Sequence, residues 1–270
     1  MIEILIAFAV VAAVGLLVGV LLALVSYFFG VPVDTRIKDL RDMLPGANCG
    51  ACGFKGCDDY AAALAEGRAA PDCCVPGGAD VSALLADYLG TTAGESQQRV
   101  AFVHCNRCYT SAVAASAYEG AQSCKAAAML YGGPQACQYA CLGLGDCAAN
   151  CPANAICMRD GIAHVDVTRC IGCGLCAANC PKHVIGLVPQ NAAVALMCSS
   201  QDKGSVASKQ CKSACIGCKK CEKICPSGAI LVQDNLAVLD YEKCTGCGLC
   251  ADACPMSALK HLAPSYEQNV

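Results

Sequence analysis

The sequence predicts an α+β chain in which one N-terminal membrane helix precedes a small cysteine-rich domain and two tandem units of one construction. Three observations support this prediction. No charged residue lies between Ile4 and Val33. The chain has 27 cysteines, and none lies before Cys49. Seven cysteines in the middle of the chain recur at a constant offset of 74 residues.

The membrane helix is predicted from the run ILIAFAVVAAVGLLVGVLLALVSYFF, and we assign the anchor to residues 1–31. At about 1.5 Å per residue, this run can cross a hydrocarbon layer of about 30 Å with some tilt. A signal peptide would have a basic start, a shorter apolar core and a small-residue cleavage site, and the sequence favours an uncleaved helix.

The basic residues predict the orientation of this helix. Arg36, Lys38 and Arg41 follow the apolar run, whereas nothing basic precedes it. The positive-inside rule therefore predicts an inner (cytoplasmic) membrane protein with its N-terminus outside and its cysteines in the cytoplasm. Structural disulfides are not expected in that reducing compartment.

Residues 32–95 are predicted to form a small domain of their own. Helices are expected in VDTRIKDLRDMLPG and in DDYAAALAEG, which ends at Gly67, and the polar stretch at 90–98 is expected to be a linker. The cysteines follow the spacing C-x2-C-x4-C-x16-C, which predicts a [4Fe–4S] site on Cys49, Cys52, Cys57 and Cys74. Cys73 is the alternative fourth ligand, and zinc is the alternative metal.

The remainder is predicted to be a duplication, with a first unit over residues 96–190 and a second over 191–270. The repeated cysteines of the first unit are Cys141, Cys147, Cys151, Cys170, Cys173, Cys176 and Cys180. Their counterparts are Cys215, Cys221, Cys225, Cys244, Cys247, Cys250 and Cys254. Runs such as GIAHVDV and NLAVLDY between the cysteines predict short strands. Units this small bury little apolar surface, so bound metal is expected to hold them together.

The spacing within these units is C-x2-C-x2-C-x3-C-P, as in CIGCGLCAANCP. In bacterial ferredoxins, three closely spaced thiolates of this run bind one [4Fe–4S] cube, and the fourth, before proline, binds the other cube of the pair. Zinc sites more often pair two C-x2-C knuckles. The spacing therefore favours two bacterial-ferredoxin-like units, each with two [4Fe–4S] clusters.

The second unit has the regular pattern. One cube is predicted on Cys215, Cys218, Cys221 and Cys254. Its partner is predicted on Cys225, Cys244, Cys247 and Cys250.

The first unit is regular only in its second loop, where a cube is predicted on Cys151, Cys170, Cys173 and Cys176. In the first loop, Leu144 stands where the middle cysteine is expected. Either this site holds a three-iron cluster, or Cys137 replaces the missing ligand. We favour the second alternative, with a cube on Cys137, Cys141, Cys147 and Cys180.

The other cysteines permit a sixth cluster at the junction of the two units. RVAFVHC resembles AAVALMC, and SCK resembles QCK, which suggests a quartet of Cys105, Cys124, Cys198 and Cys211. A strict 74-residue register instead pairs Cys124 with Cys198 and Cys137 with Cys211. Buried free thiols are the other alternative. His104 is expected to be a packed or hydrogen-bonded imidazole and not a ligand.

Composition and motifs exclude several functions. A formal net charge of −3 and a pI of about 5.8 give no basic footprint for nucleic acid. No G-x-G-x-x-G lies between a predicted strand and helix, so no nicotinamide site is expected, and no catalytic residue is assigned. No second apolar run offers an ion path. The chain is expected to conduct electrons between partners.

The order of these modules resembles the RnfB family, the iron–sulfur component of the Rnf complex, over essentially the whole chain. That complex is the ion-translocating ferredoxin:NAD⁺ oxidoreductase of bacterial membranes. Two tandem units are similar to the long form of anaerobes. The resemblance implies an electron-transfer subunit of a translocase, which accepts electrons from reduced soluble ferredoxin and passes them to other Rnf membrane subunits. Reduction of NAD⁺ and transport of Na⁺ or H⁺ are implied for those other subunits.

Such a ferredoxin is usually acidic, so basic residues near a cluster are candidates for contact. Lys209, Lys212, Lys219, Lys220 and Lys223 surround the first cysteine loop of the second unit. A solvated lysine face is the alternative interpretation. For the chain as a whole, the alternatives are a zinc-binding scaffold, a carrier for cluster assembly, and an electron-transfer subunit of another membrane complex, such as the related system that reduces a regulator.

Overall fold

The structure is a computed structural model that describes residues 2–28, 34–92, 94, 98–107 and 112–262. Residues 29–33, at the end of the uncharged run, and 93 and 95–97 of the predicted linker lie outside the described residues. The helices are α1 (Ile2–Phe28), α2 (Thr35–Met43), α3 (Cys57–Ala65), α4 (Gly78–Leu89), α5 (Cys124–Met129), α6 (Asp146–Ala149), α7 (Leu175–Asn179), α8 (Gly204–Gln210), α9 (Lys220–Ile224) and α10 (Leu249–Asp252). The strands are β1 (Arg99–Val103), β2 (Ile156–Arg159), β3 (Ile162–Val165), β4 (Ile185–Pro189), β5 (Val194–Leu196), β6 (Ile230–Gln233), β7 (Leu236–Leu239) and β8 (Leu259–His261).

Helix α1 has 27 residues and carries exposed apolar side chains along its length, including Leu16, Leu17 and Leu22. Among the residues that the structure describes, no helix meets the requirements of length and apolar character for a membrane span. The anchor that the sequence predicts is therefore not confirmed and stays a prediction.

Three helices form the first domain. Helices α2 and α3 agree with the helices expected from the sequence. Asp34 begins α2 because its carboxylate accepts the N–H of Arg36 at 3.0 Å. The apolar faces of α2, α3 and α4 enclose one core, in which Leu40, Leu64 and Leu85 are fully buried or nearly so.

The rest of the chain folds into two units of the same construction, which confirms the ferredoxin-like mixture of helix and strand. In the first unit, β2 and β3 form a hairpin, and β1 pairs antiparallel with β4. In the second, β6 and β7 form the hairpin, and β5 pairs with β8. Strands β3 and β7 lie where the sequence predicts strands.

The two units pack against each other through β1 and β5. Val100, Phe102, Ala195 and Met197 are buried in one apolar cluster that draws on both units. Each of these strands leads directly to a cysteine, Cys105 after β1 and Cys198 after β5. The packing of the units therefore brings cysteines from both to their junction.

Candidate metal centres

The predicted ligands of the first domain lie together. Burial raises the pKa of the Cys74 thiol, and the nearby thiols of Cys57, Cys52 and Cys49 raise it further. The thiols of Cys73, the alternative fourth ligand, and of Cys74 both lie close enough to the Tyr60 hydroxyl for their charges to interact with it. The structure thus gathers the quartet that ends in Cys74.

The second loop of the first unit gathers a second quartet. Burial and the neighbouring thiols of Cys170, Cys173 and Cys151 raise the pKa of Cys176 to about 12. Cys173 also lies close enough to Cys49 for their charges to interact. The quartet of the first domain therefore lies next to the quartet of Cys151, Cys170, Cys173 and Cys176.

Both predicted quartets of the second unit have cysteines that pack in or against its apolar core. Cys215, Cys218, Cys221 and Cys254 line one cavity. In the other quartet, burial and then the thiols of Cys244 and Cys225 raise the pKa of Cys250. Cys218 and Cys247 are exposed, whereas Cys173 of the first unit is only partly exposed.

The irregular loop of the first unit is arranged differently from the sequence prediction. Burial raises the pKa of Cys147 to about 12, together with the nearby thiols of Cys141, Cys124 and Cys180. Cys124, Cys141, Cys147 and Cys180 also line a common cavity. The structure brings Cys124, and not Cys137, to this site.

Hydrogen bonds to Asp146 explain why Cys124 lies there. The Asp146 carboxylate accepts the Ser123 hydroxyl at 3.0 Å and the Lys125 N–H at 3.1 Å, so it holds the first turn of α5 beside Cys147. Burial alone would raise the pKa of Asp146, but the backbone N–H groups of Lys125 and Cys124 and the Ser123 hydroxyl outweigh it and lower that pKa. The charged carboxylate is therefore the form that positions Cys124.

Cys137 lies instead at the junction of the two units. Cys105, Cys137, Cys198 and Cys211 line one cavity there. The predicted junction quartet thus differs from the structure at one position, because Cys124 and Cys137 have exchanged places. The Cys137–Cys211 pair of the strict 74-residue register is the pair that the structure brings together.

The length of one connection accounts for this difference. Cys105 precedes Cys141 by 36 residues, whereas Cys198 precedes Cys215 by only 17. The extra residues contain α5, and they carry Cys124 across to the loop in which Leu144 replaces a cysteine. The sequence signal for this arrangement is the longer connection that carries Cys124, next to a loop in which Leu144 replaces the expected cysteine. It could have indicated that Cys124, and not Cys137, lies at that loop.

Backbone N–H groups point at several of the sulfurs. Ala101, Ala155 and Ala258 donate to Cys170, Cys151 and Cys254, each at 3.3 Å. Hydrogen bonds of this kind stabilise a thiolate and a cluster that it ligates.

The donor set fits a [4Fe–4S] cube, because each quartet offers four sulfur ligands and backbone amides donate to sulfurs in two of the quartets. Within the described residues, no group of three or more His, Cys, Asp or Glu side chains converges on the position of a single metal ion. Because the cysteines bind iron as thiolates, cluster binding displaces protons from the thiols and is favoured by higher pH.

His104 is hydrogen-bonded, as expected from the sequence. Its Nδ1 lies 2.7 Å from the carbonyl oxygen of Leu196, and burial lowers the pKa of the ring. The His104 carbonyl accepts the Ser199 hydroxyl at 2.9 Å. This residue therefore ties β1 to β5.

Three family models match the chain. They are described as "Putative Fe-S cluster" over residues 44–76, "4Fe-4S binding domain" over 163–186 and "4Fe-4S dicluster domain" over 214–258. The chain therefore contains iron–sulfur domains of the [4Fe–4S] kind.

Curated relatives cover most of the chain. A protein of Methanosarcina acetivorans, named as the B component of an "Ion-translocating oxidoreductase complex", is 40% identical over 87% of this chain and 90% of its own length. The B component of the "Na(+)-translocating ferredoxin:NAD(+) oxidoreductase complex" of Acetobacterium woodii is 41% identical over 85% of this chain and 69% of its own length. The B component of the "Proton-translocating ferredoxin:NAD(+) oxidoreductase complex" of Clostridium ljungdahlii is 40% identical over 87% and 84%. The chain belongs to the RnfB family, the iron–sulfur component of the ion-translocating Rnf oxidoreductase complexes.

Proposed function

We propose that this chain relays electrons from a reduced soluble ferredoxin to the membrane subunits of an Rnf-type ferredoxin:NAD⁺ oxidoreductase. The observation that carries the proposal is the set of cysteine quartets that follow one another from the second unit to the first domain. The names of the relatives support the reaction, and they differ in the ion that is moved. Transport of Na⁺ or H⁺ is assigned to other subunits, because the sequence of this chain has no second apolar run that could form an ion path.

Five [4Fe–4S] clusters are proposed on five quartets. Four of them have the ligands expected from spacing alone. Three of these four use Cys49, Cys52, Cys57 and Cys74; Cys151, Cys170, Cys173 and Cys176; and Cys215, Cys218, Cys221 and Cys254. A fourth uses Cys225, Cys244, Cys247 and Cys250. The fifth uses Cys124 with Cys141, Cys147 and Cys180.

When bound, such clusters accept and release single electrons at potentials that their surroundings set. The chain's own contribution is to hold the thiolates, to direct N–H groups at their sulfurs and to control their exposure. Amide hydrogen bonds and exposure at a given sulfur favour the more negative, reduced form of a cluster. Differences in amide hydrogen bonding and in exposure between the quartets would therefore give their clusters different reduction potentials.

Electrons are proposed to arrive at the second unit. Two of its cysteines, Cys218 and Cys247, are exposed, so a donor can approach them closely. The exposed side chains of Lys219 and Lys220 adjoin Cys218, and both residues line the same cavity. A positive surface beside exposed ligands suits an acidic donor protein.

Delivery is proposed at the first domain, which α1 would hold at the bilayer. The uncharged sequence run that begins at Ile4 and the basic residues Arg36, Lys38 and Arg41 after it support a single-pass anchor with the clusters in the cytoplasm. Cys49 is near Cys173, which supports passage between the first domain and the first unit.

Metal analysis tests the proposal. Full-length protein purified without air should be brown, should contain about four iron and four sulfide per cluster, and should bleach with dithionite. The variants Cys170→Ala and Cys244→Ala, purified in the same way, should each lose the iron of one cluster. The control variant Cys157→Ala should lose no iron, because Cys157 is exposed and belongs to no quartet. Colourless protein loaded with zinc would contradict the proposal.

A further inference from the structure

Four cysteines, Cys105, Cys137, Cys198 and Cys211, line the cavity between the two units. Cys105 and Cys198 follow strands β1 and β5, which pack against each other, and both cysteines are buried, with exposed fractions of 8% and 9%. Cys137 and Cys211 close the other side, and their thiols lie close enough for their charges to interact. The matched family models, at 44–76, 163–186 and 214–258, include none of these four residues.

The short segment Ala112–Ala114 holds the second pair of cysteines in place. Ala112 forms a β-bridge with Cys211, and Ala114 forms one with Gln135. Val113 completes both bridges, because its N–H donates to the Gln210 carbonyl and its own carbonyl accepts the Ala136 N–H, each at 3.0 Å. One strand-like segment therefore aligns Cys137 from the first unit with Cys211 from the second.

The first pair of cysteines has matching hydrogen bonds in the two units. The Cys198 sulfur accepts the N–H of Ser200 at 3.5 Å and the N–H of Cys215 at 3.3 Å. The Cys105 sulfur accepts the N–H groups of Arg107 and Cys141 in the same way. Corresponding segments of the two units thus present sulfur to the cavity with amide donors at corresponding positions.

The charges around the cavity also suit an anionic group. Arg107 lines it, is only 7% exposed, and donates to the Gln135 side chain at 3.2 Å. A cube held by four thiolates carries net negative charge, which a nearby buried guanidinium would stabilise.

We propose that Cys105, Cys137, Cys198 and Cys211 bind a sixth [4Fe–4S] cluster at the junction of the two units. The four thiols bind iron as thiolates and release their protons to solvent. Because Cys141 and Cys215 each donate an N–H to a sulfur of this site, the cluster connects the Cys141 quartet of the first unit to the Cys215 quartet of the second. The inference rests on the proposed function, since it completes the same electron path.

Iron counting on paired variants of the full chain tests the site. Cys105→Ala and Cys198→Ala should each lose about four iron and four sulfide per chain, although they lie in different units. The double variant Cys105→Ala/Cys137→Ala should lose no more than either single variant. In contrast, Cys105→Ala/Cys124→Ala should lose about eight iron, because two clusters are removed.

The same variants separate the possible outcomes. If Cys105→Ala keeps all its iron, or if the Cys105/Cys137 double variant loses about eight iron, the junction assignment is wrong. Spin counts of the reduced protein check that the remaining clusters are intact, and Cys157→Ala is the control for cysteine loss. If the wild-type protein itself holds no iron, the proposed function fails together with the site. If it holds five clusters and Cys105→Ala also holds five, only the sixth site fails.

Discussion

Leu144 is the residue at which the first unit departs from the ferredoxin pattern, and its surroundings indicate how the departure is compensated. It stands where the repeat predicts the middle cysteine, and it packs against the buried cluster of Cys124, Ala127 and Leu142. The neighbouring insertion therefore brings a thiol to a loop that lacks one.

We expect Leu144→Cys to rescue Cys124→Ala. The single change Cys124→Ala should lower iron by about four per chain, and the added cysteine should restore it by recreating the regular loop. Iron and sulfide assays measure both steps. Leu130→Cys is the matched control, because Leu130 ends α5 but is exposed, and it should restore nothing. Full iron in Cys124→Ala alone would show that Cys124 is not a ligand.

Gly172 lies at the contact between the second cysteine loop of the first unit and its neighbours. Its φ is +65°, and an added Cβ would collide with the Arg99 carbonyl and contact the Val75 side chain. Because Val75 follows Cys74, this glycine permits the close approach of the first domain to the first unit.

We expect Gly172→Ala to weaken the hold on the Cys173 cluster. The left-handed backbone alone costs a non-glycine residue about 1–2 kcal/mol, and the collision with Arg99 adds to that. Gly67→Ala is the control, since Gly67 has a φ of +70° but open space around its Cα. The measurement is the rate at which a chelator removes iron without air. Equal rates for the two variants would argue against close packing at Gly172.

The elements that the sequence predicts well are those fixed by local spacing. Loops 170–176, 215–221 and 244–250 each carry three cysteines within seven residues, so chain geometry alone brings their sulfurs together. The structure places Cys124 and Cys137 differently from the prediction, because they lie in a connection whose length differs between the units. Their positions are decided by Asp146 and by the bridges of Ala112–Ala114, which no spacing rule encodes.

The lysines near α8 and α9 form the basic surface of the second unit. Lys209, Lys212, Lys219, Lys220 and Lys223 are all exposed. Lys243 of the same unit lies outside this surface and forms an ion pair with Asp240 at 3.0 Å.

We expect Lys219→Glu/Lys220→Glu to slow oxidation of reduced ferredoxin by on the order of tenfold at low salt. The effect should shrink as ionic strength rises, because screening shortens the range of the charges. Stopped-flow mixing without air measures the second-order rate constant. Lys38→Glu, an exposed lysine of the first domain, should leave the rate unchanged. Loss of rate with no salt dependence would point to damage at Cys218 and not to steering.

Several cysteine quartets can be followed from one neighbour to the next through the molecule. Cys49 adjoins Cys173, the thiols of Cys176 and Cys147 interact, and the junction cavity lies between Cys141 and Cys215. This order could not be predicted from spacing, because it depends on how β1 packs against β5. It leaves the second unit at one end and the first domain, which follows α1, at the other.

The proposed electron path ends at membrane subunits, and the proposed anchor, α1, is the element expected to keep its delivery end at the bilayer. We expect a chain that lacks residues 2–28 to move from the membrane fraction to the soluble fraction of cells while keeping the same iron per chain. Leu17→Arg/Leu21→Arg should have the same effect in the full chain, since each arginine costs about 2.5–3.5 kcal/mol at the centre of a membrane helix. Leu17→Val/Leu21→Val is the matched control and should remain with the membrane. If the truncated chain stays membrane-bound after the other subunits are removed, the clusters are held at the bilayer by another surface, and the anchor proposal is wrong.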